Sequence, residues 1–272
     1  MSEWWTYSLS DFLLFSPRTY YRLFELHNLA VWPWHILAIV LGLAVLVLWL
    51  RGGAWQGRVI AVILAICWLF VAWAYLLARY DTINWAASYF AAGYLVEALL
   101  LVWTGLIRNW LSLRPGRDVA GAAGLCIFVF ALFAWPLVGR LLGRPWLQAE
   151  IFGIAPDPTV VATLGVLIAA ERTHWGLLVV PLLWCAISGA TSVGHAIAGR
   201  LAGAGRCVDG ARSSLLEDTL AASTSFASLR PGWRARKGAG SVCLLRRTLL
   251  FGEVRVATLA LLIFTALSGW RS

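Results

Sequence analysis

Charge is what this sequence has least of. Charged residues make up 13% of the 272-residue chain, roughly half the share expected of a soluble domain. Residues 33–50, 59–78, 85–107 and 119–142 are apolar, broken only by Glu97 in the third run and by Arg140 near the end of the fourth. Each is long enough to cross a hydrocarbon layer of ~30 Å. A water-soluble globular fold is thereby excluded, and the mean hydropathy of +0.78 with 61% hydrophobic residues agrees. Other absences narrow the reading. No short basic start precedes an apolar run, since Glu3, Asp11, Arg18, Arg22 and Glu25 occupy the first 30 residues; the first span is expected to serve as the insertion signal. No cysteine pair has CxxC spacing, so Cys67, Cys126 and Cys185 in apolar runs and Cys207 and Cys243 in the basic tail are read as ordinary buried thiols, and a soft-metal site built from the first three is disfavoured. No HExxH, GxSxG, Walker or Rossmann pattern occurs, which leaves enzymatic activity and a bound cofactor without a motif.

The long runs specify an all-α, multi-pass helical bundle. Two shorter apolar runs follow, 158–170 and 175–190, the second interrupted by Pro181. Thirteen helical residues rise only about 20 Å, so this pair is either two thin or tilted spans or a re-entrant hairpin dipping in from one face. With these and a further run at 256–269, six or seven membrane segments are expected. Before them, Ser16 and Pro17 make a helix start. Tyr20, Leu23, Phe24 and Leu26 then face away from Arg18, Arg22 and Glu25, as in an interfacial helix or in a cap packed across the bundle mouth.

Tryptophans mark the boundaries. Trp32, Trp34, Trp55, Trp85, Trp110, Trp146 and Trp175 fall near the ends of apolar runs, where an indole sits half buried with its N–H wet. Trp68, Trp73 and Trp135 lie deeper and are read as packing residues. Arg51, Arg58, Arg108, Arg114, Arg117 and Arg172 share alternate loops, against Arg18, Arg22, Arg79, Arg140 and Arg144 on the other side. The small excess makes the first set cytoplasmic and the N-terminus external. The lipid bilayer is then the main partner, with a small solute or ion, a membrane protein or a second copy as candidates and no nucleic acid.

The chain divides near Thr191. Residues 1–190 hold 11 Arg against 9 acids and 15 of the 17 tryptophans; residues 191–272 hold 11 Lys or Arg against 4 acids, accounting for most of the net charge of +9. A basic stretch, Arg230, Arg234, Arg236, Lys237, Arg246 and Arg247, suits an anionic membrane surface.

Few polar residues lie where chemistry is expensive. Glu97 sits mid-span, at a cost of at least about 2.5 kcal/mol if charged. Helical spacing, steps of four and then seven, suggests a stripe of Tyr89, Gly93, Glu97 and Thr104, and the expected resting state is a protonated acid bonded to a tyrosine, a threonine or a backbone carbonyl. Two readings compete, proton or cation coupling and a neutral carboxyl joining helices. His35 and His27 either extend a relay or sit at the interface. Asp157, between Pro156 and Pro158, is read as an N-cap for the short run, and as part of a pathway if that run is re-entrant. Thr82 or Asn84 is expected to cap the third span, beside Arg79 and Asp81.

Three stretches, "ELHNLAVWPWHILA" from Glu25, "DTINWAASYF" from Asp81 and "EIFGIAPDPTVVATLGVL" from Glu150, together resemble a bacterial family of uncharacterised multi-pass membrane proteins, DUF 6064. The likeness continues through "PLLWCAISGAT" to Thr191. It implies a multi-pass protein of the bacterial inner membrane and supplies no activity, substrate or catalytic residue. Relatives look as though they continue into another aromatic apolar stretch, whereas here an arginine-rich tail begins. A one-base shift of the codons allowed near Val193 restores aromatic character, which suggests a frameshifted tail. From these residues the leading expectation is a small-solute or ion permease with Glu97 as coupling group. The runner-up is a non-catalytic membrane subunit or scaffold.

Overall fold

A computed structural model describes residues 17–53, 55–113, 119–141, 143–171 and 175–191. Ser16 and everything after Thr191, including the basic stretch and the run at 256–269, lie outside the described residues. Helix α1 is Pro17–Ala30, α2 Trp34–Arg51, α3 Gln56–Phe70, α4 Ala87–Leu101, α5 Val119–Val129, α6 Trp135–Leu141, α7 Pro156–Ile168 and α8 Trp175–Thr191. Among the described residues an isolated bridge, Leu113 with Ala170, is the sole β pairing. Three helices widen into π-helical turns before they end: α3 through Val71–Leu77, α4 through Val102–Ile107 and α5 through Phe130–Ala134, which passes directly into α6.

Four helical stretches are long and apolar enough to cross a membrane: Trp34–Arg51, Gln56–Thr82, Ala87–Ile107 and Val119–Leu141. They coincide with the four long apolar runs because an uncharged run of that length in lipid must satisfy its own peptide groups, and a helix does so without a partner strand. α8 runs unbroken through Pro181, a correction to the expected interruption. Neighbouring helices can support a proline inside a membrane helix, since a freed carbonyl finds other donors there.

At the centre stands α7. Every residue from Pro156 to Leu167 is buried, so this thirteen-residue helix touches protein on all sides. Small residues let the backbones close around it. A Cβ on Gly124 of α5 would collide with the Gly165 carbonyl of α7, and one on Gly165 would lie 2.7 Å from the Gly124 carbonyl. Close approach of this kind replaces the hydrophobic drive that lipid cannot supply. α3 and α4 pack likewise, Gly105 against Ala61, and a Cβ on Gly57 would strike the Leu111 carbonyl.

Loop contacts define two ends. At one, Gln56 Nε2 donates to the Leu113 carbonyl at 2.7 Å and the Glu171 amide to the Ser112 carbonyl at 2.9 Å. The start of α3, the segment after α4 and the end of α7 therefore share a side, the one holding Arg51, Arg58 and Arg108. The opposite end collects α1, the start of α2, the end of α3, residues 145–155 and the start of α7.

All seven boundary tryptophans, Trp32, Trp34, Trp55, Trp85, Trp110, Trp146 and Trp175, are exposed. Trp68 is fully buried, but Trp73 is 67% exposed, against the expectation of packing. It sits in the π-helical turn that ends α3, where the wider turn rotates side chains away from a 3.6-residue register. α1 packs inward through Phe24, stacked on Tyr75 at 5.0 Å, while Leu26 and Leu29 stay exposed. It is thus a cap across the bundle mouth that keeps an apolar outer edge. Cys67 and Cys185 are buried whereas Cys126 is exposed, so the expectation of buried thiols holds for two of the three described cysteines, and Cys207 and Cys243 lie outside the described residues.

Candidate functional site

Local chemistry explains how α7 begins. Pro156 is its first residue and Pro158 its third, so two of the first three positions have no N–H to satisfy. Thr159 completes the start: its Oγ1 accepts from the Gly153 amide at 2.8 Å and donates to the Ala155 carbonyl at 2.7 Å. Gly153 turns the chain with φ of +74°, and a Cβ there would lie 3.1 Å from Cys67 Sγ. Both conditions call for glycine.

Asp157 is therefore not the N-cap. That position belongs to Ala155, and no side chain caps it. With prolines on both sides the helix has little need of a carboxylate acceptor, and Asp157 points across to α8 instead. Oδ1 accepts from Trp184 Nε1 at 2.7 Å and Oδ2 from Ser188 Oγ at 2.9 Å. Trp184 and Ser188 are four apart on α8 and so lie on one face. Asp157 is 9% exposed, and these two neutral donors take the place of water at the buried carboxyl, offsetting part of the cost of its burial. Farther along α7, Thr163 donates to the Thr159 carbonyl at 2.8 Å and accepts from Trp68 Nε1 at 2.9 Å.

Glu97 lies on α4 between two contacts with α3, the Tyr94 ring beside Trp68 at 4.3 Å and Gly105 against Ala61. It has no exposure, and neither carboxyl oxygen has a hydrogen-bond partner. The expected partners do not reach it. Thr104 is buried on the same side but donates to the Leu100 carbonyl of its own helix at 2.7 Å. Tyr89 is 70% exposed, edge-on to Trp85. Each four-residue step drifts about 40° around a helix of 3.6 residues per turn, so two steps carry Tyr89 off the face. Tyr94, three residues before Glu97, takes its place, buried with its hydroxyl unpartnered.

His35 and His27 join neither carboxylate. His35 Nε2 donates to Asn28 Oδ1 at 3.2 Å and His27 Nε2 to the Ile154 carbonyl at 3.3 Å. Asn28 Nδ2 donates to the carbonyls of Leu147 at 2.8 Å and Ala149 at 2.9 Å. The bonds from His27 and Asn28 satisfy carbonyls of a short 3-10 turn, Trp146–Gln148, and of the irregular backbone after it, which is buried at Ala149, Phe152, Ile154 and Ala155. Burial pushes the His27 imidazole down from 6.5 to about 4, helped by Arg79 and His35 and opposed by the bond to Ile154. Glu150 fixes the same segment from outside, accepting from Trp135 Nε1 at 3.0 Å and Arg144 at 3.3 Å. Asn84 Oδ1 accepts from the Ala86 amide at 3.0 Å at the entrance to α4, whereas Thr82 Oγ1 donates to the Arg79 carbonyl. Neither therefore caps α4, a correction to the expected cap: its N-cap is Ala86, which no side chain caps, and Asn84 closes the turn that leads into it.

The two buried carboxyls are linked by rings. Trp184, bonded to Asp157, meets Tyr94 at 5.2 Å and Phe90 at 5.6 Å, and Tyr94 lies within one turn of Glu97. Trp184, Ser188, Asn28 and Tyr94 were not singled out from the sequence. The i, i+4 pair Trp184 and Ser188 and the polar doublet His27–Asn28 inside an otherwise apolar face are the signals that mark them. Among the described residues no three metal-ligating side chains come together.

Residues 18–204 match a family of unknown function, DUF6064. No curated protein and no solved structure matches the chain.

Proposed function

Given that the chain belongs to the DUF6064 family, whose description carries no activity, we propose from the geometry alone that it is a small-solute or ion permease. In this reading it lies in the bacterial cytoplasmic membrane as a multi-pass protein with its N-terminus outside, and Asp157 and Glu97 are the charge-carrying groups of the pathway. The observation that carries the proposal is α7: too short to cross a bilayer, buried in protein from Pro156 to Leu167, entered through buried non-helical backbone and carrying a carboxyl in its first turn. Non-helical backbone at membrane depth is tolerated inside protein or along a wet cavity. Half-helices that begin inside a bundle are how secondary transporters present fixed dipoles to a solute. Glu97 adds a second ionisable group whose oxygens are left for a proton or cation.

The test is flux. Purified protein in proteoliposomes loaded with a pH dye is challenged with panels of ions and small solutes under a pH gradient. Glu97→Gln and Asp157→Asn are expected to abolish proton-coupled movement, and coupling that survives Glu97→Gln removes that residue from the mechanism.

A second reading, a non-catalytic subunit or scaffold, is favoured by the complete enclosure of Glu97 and by an apolar outer groove on α4 lined by Val96, Leu99, Leu100, Val102, Trp103 and Ile107. It calls for a stable partner in mild detergent and no flux.

A further inference from the structure

We infer that α1 is a strap closing the Asp157 end of α7 and that Asn28 is its clasp, so that the route to Asp157 opens when α1 parts from residues 147–154. The inference rests on the pathway reading of Asp157 given above. Three facts support it. First, the inward face of α1 ends in His27 and Asn28, both buried, and these side chains reach the carbonyls of Leu147, Ala149 and Ile154 with three hydrogen bonds. A seam of this kind can be exchanged for water at an interface more readily than an interdigitated apolar one. Second, the clasp is itself held. His35 Nε2 donates to Asn28 Oδ1, which turns the amide so that both of its N–H groups meet carbonyls. Third, α1 lies against the turn that leads into α7: His27 bonds the Ile154 carbonyl two residues before Pro156, and Phe24 stacks on Tyr75. The outer edge, Leu26 and Leu29, is exposed and apolar, which lets the helix stay on the membrane surface after it has let go.

Two native thiols report on the opening. Cys67 lies beneath Gly153, inside the clasped segment, and Cys185 follows Trp184, the donor to Asp157; both are buried. The experiment uses the full chain with Cys126, Cys207 and Cys243 replaced by serine, reconstituted in liposomes and exposed to a membrane-impermeant methanethiosulfonate. Asn28→Asp keeps the shape and the acceptor for His35 but turns two donors into an acceptor facing two carbonyls. We expect Asn28→Asp and Asn28→Ala each to raise the labelling rate of Cys67 and Cys185 at least tenfold. A third reporter, Ala98→Cys in the α4 core, is expected to stay unlabelled in the same variants. Wild-type labelling rates in Asn28→Asp would overturn the strap, and so would labelling that spreads to Ala98→Cys, because the bundle would then have come apart as a whole. The permease reading fails separately: flux absent from a strap that opens refutes transport, and flux with unchanged thiol reactivity refutes the strap.

Discussion

Trp184 Nε1 lies 2.7 Å from Asp157 Oδ1 and joins α8 to the first turn of α7, so the carboxyl of one short helix is held by the face of the other. Trp184→Phe removes the donor together with the pyrrole half of the indole, leaving a buried acceptor short of one bond. The expected loss is roughly 1–3 kcal/mol, read as a lower melting temperature in detergent. Asp157→Asn retains an acceptor for one of the two donors and is expected to cost less. Equal melting of Trp184→Phe and wild type would show that the bond contributes nothing.

Glu97 predicts the opposite sign. Its oxygens have no partner in a fully enclosed position, so Glu97→Met, similar in length and without polar atoms, is expected to stabilise the bundle by roughly 1–3 kcal/mol. The same substitution is expected to abolish coupled flux. A lower melting temperature for Glu97→Met would mean that the carboxyl does have a partner in the folded protein.

His27 makes stability depend on pH. Its folded value of about 4 lies below the ordinary 6.5, so between these limits the unfolded chain binds a proton that the folded one refuses. The contribution is whole above pH 6.5 and is lost as pH falls toward 4, by roughly 3 kcal/mol. Melting at pH 7, 6 and 5 should trace this decline, and His27→Gln should flatten it. An unchanged slope in that variant would assign the dependence elsewhere.

The two ends of the bundle predict a labelling pattern. Ser112 lies with the start of α3 and the end of α7, and Leu147 with α1 at the other end. Single cysteines at these positions, Ser112→Cys and Leu147→Cys, should react from opposite faces of a sealed vesicle, Ser112→Cys from the cytoplasmic one. Labelling of both from one face would break the proposed orientation.

Much of this was legible in the sequence, and the rest was not for definite reasons. Four spans were readable because uncharged runs of this length leave the backbone one solution in lipid. The exposure of the boundary tryptophans was readable because they fall at the ends of apolar runs, where little of the bundle is left to cover an indole. Asp157 misled because Asp before Pro is a good cap signal, while the preceding Pro156 had already taken the first helical position. Tyr89 misled through the drift of a four-residue repeat, and Trp73 through a π-helical turn that no local pattern announces. The enclosure of α7 follows from glycines on different helices, Gly124 and Gly165, whose meeting depends on tertiary structure. Asn28 was passed over because its partners are backbone carbonyls more than a hundred residues away.

The brevity of α7 bears on how the chain enters the bilayer. Thirteen residues with an acid in the first turn partition poorly into lipid unaided, whereas the four longer helices upstream can be released one at a time during synthesis. α7 is then expected to wait at the translocon until α5 offers its glycine-lined groove. Slowing elongation downstream of Ile168 should favour assembly, and removing the groove by Gly124→Leu should leave α7 open to proteolysis even where the four long helices are in place.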